Sequence, residues 1–185
     1  FLFLFTYLFE PSDTAETINQ KLVDRMWQAL DEHGVPEADA LRVLTLASIV
    51  QKEAGNTEEM PMISRVFLNR IDIGMNLQSD ATVSYGTGNP DNTVWTTDSE
   101  REDASNRYNT YANPGLPIGP IGLPGDAAIN AAMHPADGAW IYFTAVDLEN
   151  GITAFAEDTA GHEANVKKLH DWCDAHESAG GKYCD

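Results

Sequence analysis

The run ALRVLTLASIVQKEA, residues 40–54, constrains this chain more than any other stretch. It is rich in helix formers and apolar around most of its circumference, so a helix built from it has no face to offer water. Such a helix must lie inside, with other elements packed around it. Pro36 suits the start of the helical segment and Gly55 breaks it. The rest of the chain has to supply its cover.

Two amphipathic helices are at hand. Asp13, with Glu16 three residues on, reads as a helix cap with its reciprocal partner, and Ile18, Leu22, Met26 and Leu30 then recur at steps of four until Gly34. Residues 62–72 place Ile63, Val66, Phe67 and Arg70 on related faces, with Gly74 as the stop. The opening FLFLFTYLF is too short to span a bilayer and lacks the features of a signal peptide, so it reads as a buried strand beginning inside a longer protein.

From Met75 to Pro124 the texture changes to Gly, Asn, Pro, Ser and Thr, with short patches such as ATVSYG and YNTY. An irregular stretch of that length is functional when it is ordered, and Tyr85, Trp95, Tyr108 and Tyr111 offer anchors. A short helix over 126–133, a hairpin pairing 140–146 with 153–155 across Asn150-Gly151, and a last helix over 163–172 follow. The expected architecture is α+β. It is a single domain over 1–185 with a helical core, a long ordered loop and short-strand region, and a small β-hairpin. Residues 1–10 form a partial upstream strand and 173–185 a mobile tail.

Charge removes several classes of function. The 29 Asp and Glu outnumber the 11 Lys and Arg, for a net −18, and no Lys or Arg occurs between Arg107 and Lys167. A nucleic-acid binder needs a cationic stripe to displace counterions from phosphates, and a polybasic lipid contact needs the same. Neither is expected. A neutral ligand, or a polymer met through hydrogen bonds and stacking, fits better. Cys173 and Cys184, with ten residues between them, allow one bridge or two thiols. His134, His162 and His170 have neither helical i, i+4 pairing nor a neighbouring Cys, so no metal and no cofactor is expected.

One charged residue sits where it should not. On the apolar helix, Glu53 follows Ile49 and Val50 by one turn and Leu46 by two, just before the chain leaves at Gly55. A carboxyl on such a face, at the edge of a cleft, loses hydration. Its pKa rises toward the value a general acid needs. The alternative is an outward rotamer paired with Lys52 or a later Arg.

LASIVQKEAG, VFLNRIDIGMNLQSDATVSYG, YNTY, GLPIGPIGLPG and TAGHEANV, in that order, resemble the endolytic murein transglycosylases of the MltG (YceG-like) type. The resemblance runs from about Leu2 to Trp172. It implies a lysozyme-like helical core and non-hydrolytic cleavage of peptidoglycan between N-acetylmuramic acid and N-acetylglucosamine, leaving 1,6-anhydro ends. The family's essential glutamate falls on Glu53, with Gln51 at the other acidic-type position of the triplet. Gln78 and Asn109 are then expected to meet hydroxyl and acetamido groups, and Tyr111 and Tyr85 to stack on sugar faces. Asp80 is expected to brace its loop.

The resemblance also implies glycan strands as substrate, penicillin-binding protein synthases as partners, and a single-pass anchor upstream that holds the domain outside the cell membrane. Two other readings stand beside it: a non-catalytic peptidoglycan-binding scaffold, and a hydrolytic muramidase using Glu53 with Asp80. Four departures mark this chain: Leu4-Phe5 where the family has Pro and a polar residue, Ile118 for Pro, Leu123 for Asn, and Thr153 for His.

Overall fold

The computed structural model describes residues 2, 3, 5–88 and 96–177. Leu4, Trp95 and Cys184 lie outside them, and with Cys184 the question of a bridge to Cys173.

Helix α1 spans Ala15–Glu32 and a single 3-10 turn, Glu37–Asp39, leads into α2, Ala40–Glu53. Then come α3 (Met60–Asp72), α4 (Asp80–Thr87), α5 (Asp98–Glu102) and α6 (Asp126–Met133). Strands β1 (Tyr142–Asp147) and β2 (Ile152–Ala156) and helix α7 (Thr159–Glu177) complete the α+β chain.

The apolar helix is central, as its composition requires. Residues Val43 to Val50 of α2 are all buried, packed against α6 and α3, and Leu44, Ile49 and Val50 are wholly enclosed. Burying a side chain of that size contributes about 1.5–3 kcal/mol, so α2 is the axis of the core. Strands β1 and β2 pair antiparallel, with Phe143 opposite Phe155, and α7 covers the hairpin. Gly151 closes the turn at φ 63°, a conformation that favours glycine.

Four local expectations change. The cap of α1 is Thr14, whose hydroxyl accepts from Thr17 N; Asp13 instead accepts from Glu10 N and pairs with Lys21. ATVSYG is helical, forming α4, although Thr82 and Val83 favour strands. Both side chains are buried there, and packing overrides propensity. The tail is helical through Glu177, well past Cys173.

The opening segment is not a buried strand. It is extended but pairs with no strand among the described residues. Phe3 is buried while Phe5, Leu8 and Phe9 are exposed. Its odd-numbered aromatics line one side, consecutive rings from Phe3 to Phe9 lying 5.8–6.1 Å apart. The Arg25 guanidinium covers Phe3 and Phe5 at 4.7 and 4.9 Å, so α1 holds this ladder by cation–π contact in place of a sheet.

Candidate active site

Helix α2 ends at Glu53, where Gly55 lets the chain turn away, and α4 starts at Asp80 beside it. The outward rotamer is not adopted. Glu53 is partly buried, and its Oε1 accepts a short hydrogen bond from the Ser79 hydroxyl. Loss of hydration raises its pKa above the ordinary value. The Ser79 bond opposes that shift, the nearby Asp80 charge adds to it, and the Arg70 charge opposes it. The balance is upward, which keeps a proton on Glu53 at higher pH than an exposed glutamate would hold one.

Ser79 is itself held from below. Thr110, in the middle of YNTY, accepts from Gln78 N through its carbonyl at 3.0 Å and from Ser79 N through its hydroxyl at 3.1 Å. Between those two bonds Gln78 adopts φ 52°, the one left-handed non-glycine residue among those described. That conformation costs about 1–2 kcal/mol for an ordinary residue. It sends Leu77 and Ser79 inward and leaves Gln78 exposed, its amide without a hydrogen bond among the described residues.

Arg70 ties this loop to the hairpin. Buried on α3, it donates Nη1 to Leu77 O at 2.8 Å and Nε to Ile141 O at 2.6 Å. The Tyr142 ring lies 5.3 Å from its guanidinium and stacks at 4.7 Å on His162, whose Nδ1 is 3.1 Å from the Thr144 hydroxyl. Burial lowers the Arg70 pKa, and the negative charge that Tyr142, Tyr111 and Glu53 carry when ionised opposes that shift.

Asp80, the other carboxyl at the site, is occupied. Arg101 donates Nε and Nη2 to its two oxygens at 3.0 and 3.1 Å, and Thr96 donates its hydroxyl to Oδ1. Tyr111 leans on the same pair. The Arg101 guanidinium covers its ring at 5.0 Å, and burial together with the Asp80 carboxylate pushes its phenol up to about 12. Tyr111 therefore stays protonated and offers one ring face at most for stacking.

Asn109 does not face the cleft. It is fully buried, donating to the carbonyls of Glu100, Arg101 and Asp103 at 2.9–3.0 Å and accepting from Tyr111 N and Ala112 N. Its amide braces the loop that carries Arg101 and Tyr111, with no group left for a ligand. Tyr85 stands at the other end of α4, half exposed and fixed edge-on against Tyr108 at 4.8 Å. The opposite wall of the cleft, residues 115–125, hangs from α2: Ser48 Oγ accepts from Ile121 N, and Gln51 Oε1 from Gly125 N.

Glu53, Gln78 and Tyr111 thus meet at one end of α4, with Tyr85 at the other and Asn109 behind. Ser79, Arg70, Arg101 and Thr110 were missed as site residues. Arg70 had a signal: a cation in phase with Ile63, Val66 and Phe67 must be buried and therefore partnered. Thr153, at the family's second His position, gives its backbone N–H and hydroxyl to the buried Glu59, locking β2 to the start of α3. Among the described residues, no three His, Cys, Asp or Glu side chains converge to hold a metal ion, and no helix is long and apolar enough to cross a membrane.

An α+β domain organised around a core helix that ends in one desolvated carboxyl, facing a proline-rich wall, defines the class. The chain belongs to the YceG-like family, whose sequence profile it matches over residues 1–168. It is 31% identical over 176 residues to a Streptococcus pneumoniae protein named endolytic murein transglycosylase, covering 90% of this chain and 31% of that one. A Bacillus subtilis protein of the same name is 32% identical over 173 residues, covering 91% of this chain and 47% of its own. The chain therefore spans less than half the length of these relatives. A crystal structure of a YceG-like protein from Listeria monocytogenes superposes with a TM-score of 0.72 at 32% identity, covering 88% of this chain and 53% of that one.

Proposed function

We propose that this domain is a lytic transglycosylase acting on peptidoglycan. It cleaves the bond between N-acetylmuramic acid and N-acetylglucosamine and leaves 1,6-anhydro ends, so trimming or terminating new glycan strands. The observation that carries the reading is the inequality of the two carboxyls: Glu53 is desolvated and held by one hydroxyl, whereas Asp80 is clamped by Arg101. Hydrolytic glycosidases generally need two working carboxylates, one of them serving as nucleophile or as base toward water. Here only one is available.

A lytic reaction needs only one. Protonated Glu53 gives its proton to the glycosidic oxygen as the bond to the anomeric carbon breaks. The resulting carboxylate then takes the proton of the sugar's own C6 hydroxyl as that oxygen closes on the anomeric carbon. The proton count balances, water does not enter, and Glu53 ends protonated. On this reading Gln78 binds hydroxyl or acetamido groups beside the acid; its exposed amide on a left-handed backbone next to Ser79 supports that role. The names of the relatives support the substrate class.

Mass spectrometry of the muropeptides released from purified murein tests the reading. Anhydro ends, lighter by one water than hydrolytic products, are expected. Reducing muramic ends would replace it with hydrolysis. On the same reading the domain works on the outer face of the cytoplasmic membrane beside penicillin-binding protein synthases. Fractionation and co-purification of the full-length protein check both.

A further inference from the structure

A pocket of about 400 Å³ lies between Tyr85 and the wall at 120–124, with the buried Met26 and Leu44 at its base. Leu44 lies nine residues before Glu53 on α2, roughly 13 Å along the helix, and Tyr85 five residues beyond Asp80 on α4, roughly 7 Å. The pocket therefore lies within reach of a substituent on a strand whose scissile bond is at Glu53.

Its chemistry suits such a substituent better than another sugar ring. Among its lining side chains the Tyr85 hydroxyl is the one hydrogen-bond donor; Leu2, Met26, Leu44, Leu123 and the prolines give carbon and one thioether sulfur. A sugar carries hydroxyls around its whole edge, and against this mostly apolar lining few of them would find partners to replace water. Leu123 is 48% exposed on this wall, so its apolar side chain is open to an occupant.

The rim adds a charge. A Cβ on Gly122 would meet Lys52 Cε at 3.4 Å, so the Lys52 stem lies along this wall. Its exposed ammonium makes no ion pair among the described residues, in a chain of net charge −18.

We infer that this pocket recognises the peptide stem of the muramic acid residue, a deeper reading of the same site that rests on the proposed substrate. The lactyl and first alanyl methyls enter between Tyr85 and Leu123, and the carboxylate of the following acidic residue meets Lys52. Strands bearing stems are then preferred over bare ones.

Binding tests this without relying on turnover. Full-length Glu53→Gln protein is titrated calorimetrically with N-acetylmuramyl-L-alanyl-D-glutamate and with N-acetylmuramic acid. The dipeptide form should bind about tenfold tighter. Leu123→Asn and Lys52→Met in the same background should each remove most of that preference, while Leu123→Met retains it and all melt as the parent does. Equal affinity for the two ligands, binding of neither, or a preference untouched by both variants overturns the inference. A preference that persists in a protein whose murein digest carries reducing ends leaves the stem pocket standing and removes the lytic reaction instead.

Discussion

The Ser79 hydroxyl donates to Oε1 of Glu53, joining the start of α4 to the end of α2 across 26 positions of sequence. That bond favours the ionised carboxylate, whereas Asp80 favours the protonated acid. The two neighbours pull the same group in opposite directions.

Removing each should therefore move the pH profile in opposite senses. For a general acid, kcat/KM falls as pH rises through the pKa of Glu53. Ser79→Ala takes away a bond to the carboxylate, so that fall shifts to higher pH. It also lowers kcat by roughly five- to tenfold, the worth of one orienting hydrogen bond. Ser79→Thr should restore the profile. Rates measured across the pH range check the sign.

Asp80→Asn removes a like charge, so the fall shifts to lower pH. Because Asp80 braces Arg101 and Tyr111, the loss at the optimum should be within about tenfold, whereas a nucleophile or base would lose about 10²–10⁴-fold. A loss of the larger size, with reducing ends among the residual products, would assign Asp80 to hydrolysis.

Glu53→Gln should abolish lysis, by about 10²–10⁴-fold, and should also stabilise the fold in a pH-dependent way. The unfolded carboxyl titrates near its ordinary 4.5 and the folded one above it. Below the unfolded value both states are protonated and the full stability is present. As pH rises through the folded value the ionised group is held where hydration is poor, and that stability is lost. Melting curves should show the variant more stable than the parent at pH 8 and equal to it near pH 4. A variant less stable than the parent at pH 8 would contradict the desolvated acid.

Asn109→Ala should destabilise the domain by about 2–3 kcal/mol, because three loop carbonyls lose their donor inside the protein. Denaturant titration measures it. A fully folded variant with a raised KM and undiminished stability would instead return Asn109 to the substrate.

What could be read in the sequence depended on how locally each feature is determined. Helix α2 and Glu53 were legible because apolarity all around a helix, and one acid breaking it, are properties of neighbouring residues. The hairpin followed from Asn150-Gly151, and a short helix was expected over 126–133, where α6 lies. Helix α4 was not legible: Thr82 and Val83 favour strands, and only the core they enter makes them helical. The role of Asn109 was misread because an amide that satisfies five backbone groups looks, in sequence, like one aimed at a ligand. Ser79 and Thr110 were invisible for a related reason. Their partners lie 26 and 31 positions away, and no local pattern announces contacts of that span.

The two carbonyls bound by Arg70 set a limit on how far this domain can be pared down. One belongs to Leu77, immediately before the acid's loop, and the other to Ile141, at the threshold of the hairpin. A fragment ending before the hairpin would keep Glu53, Gln78, Ser79 and the whole proline-rich wall, yet leave the Arg70 guanidinium buried with half its anchorage. The smallest piece of chain that preserves the surroundings of the acid therefore extends past every residue assigned to the cleft, into the hairpin, whose turn at Gly151 also accepts from Asn56 just beyond the acid.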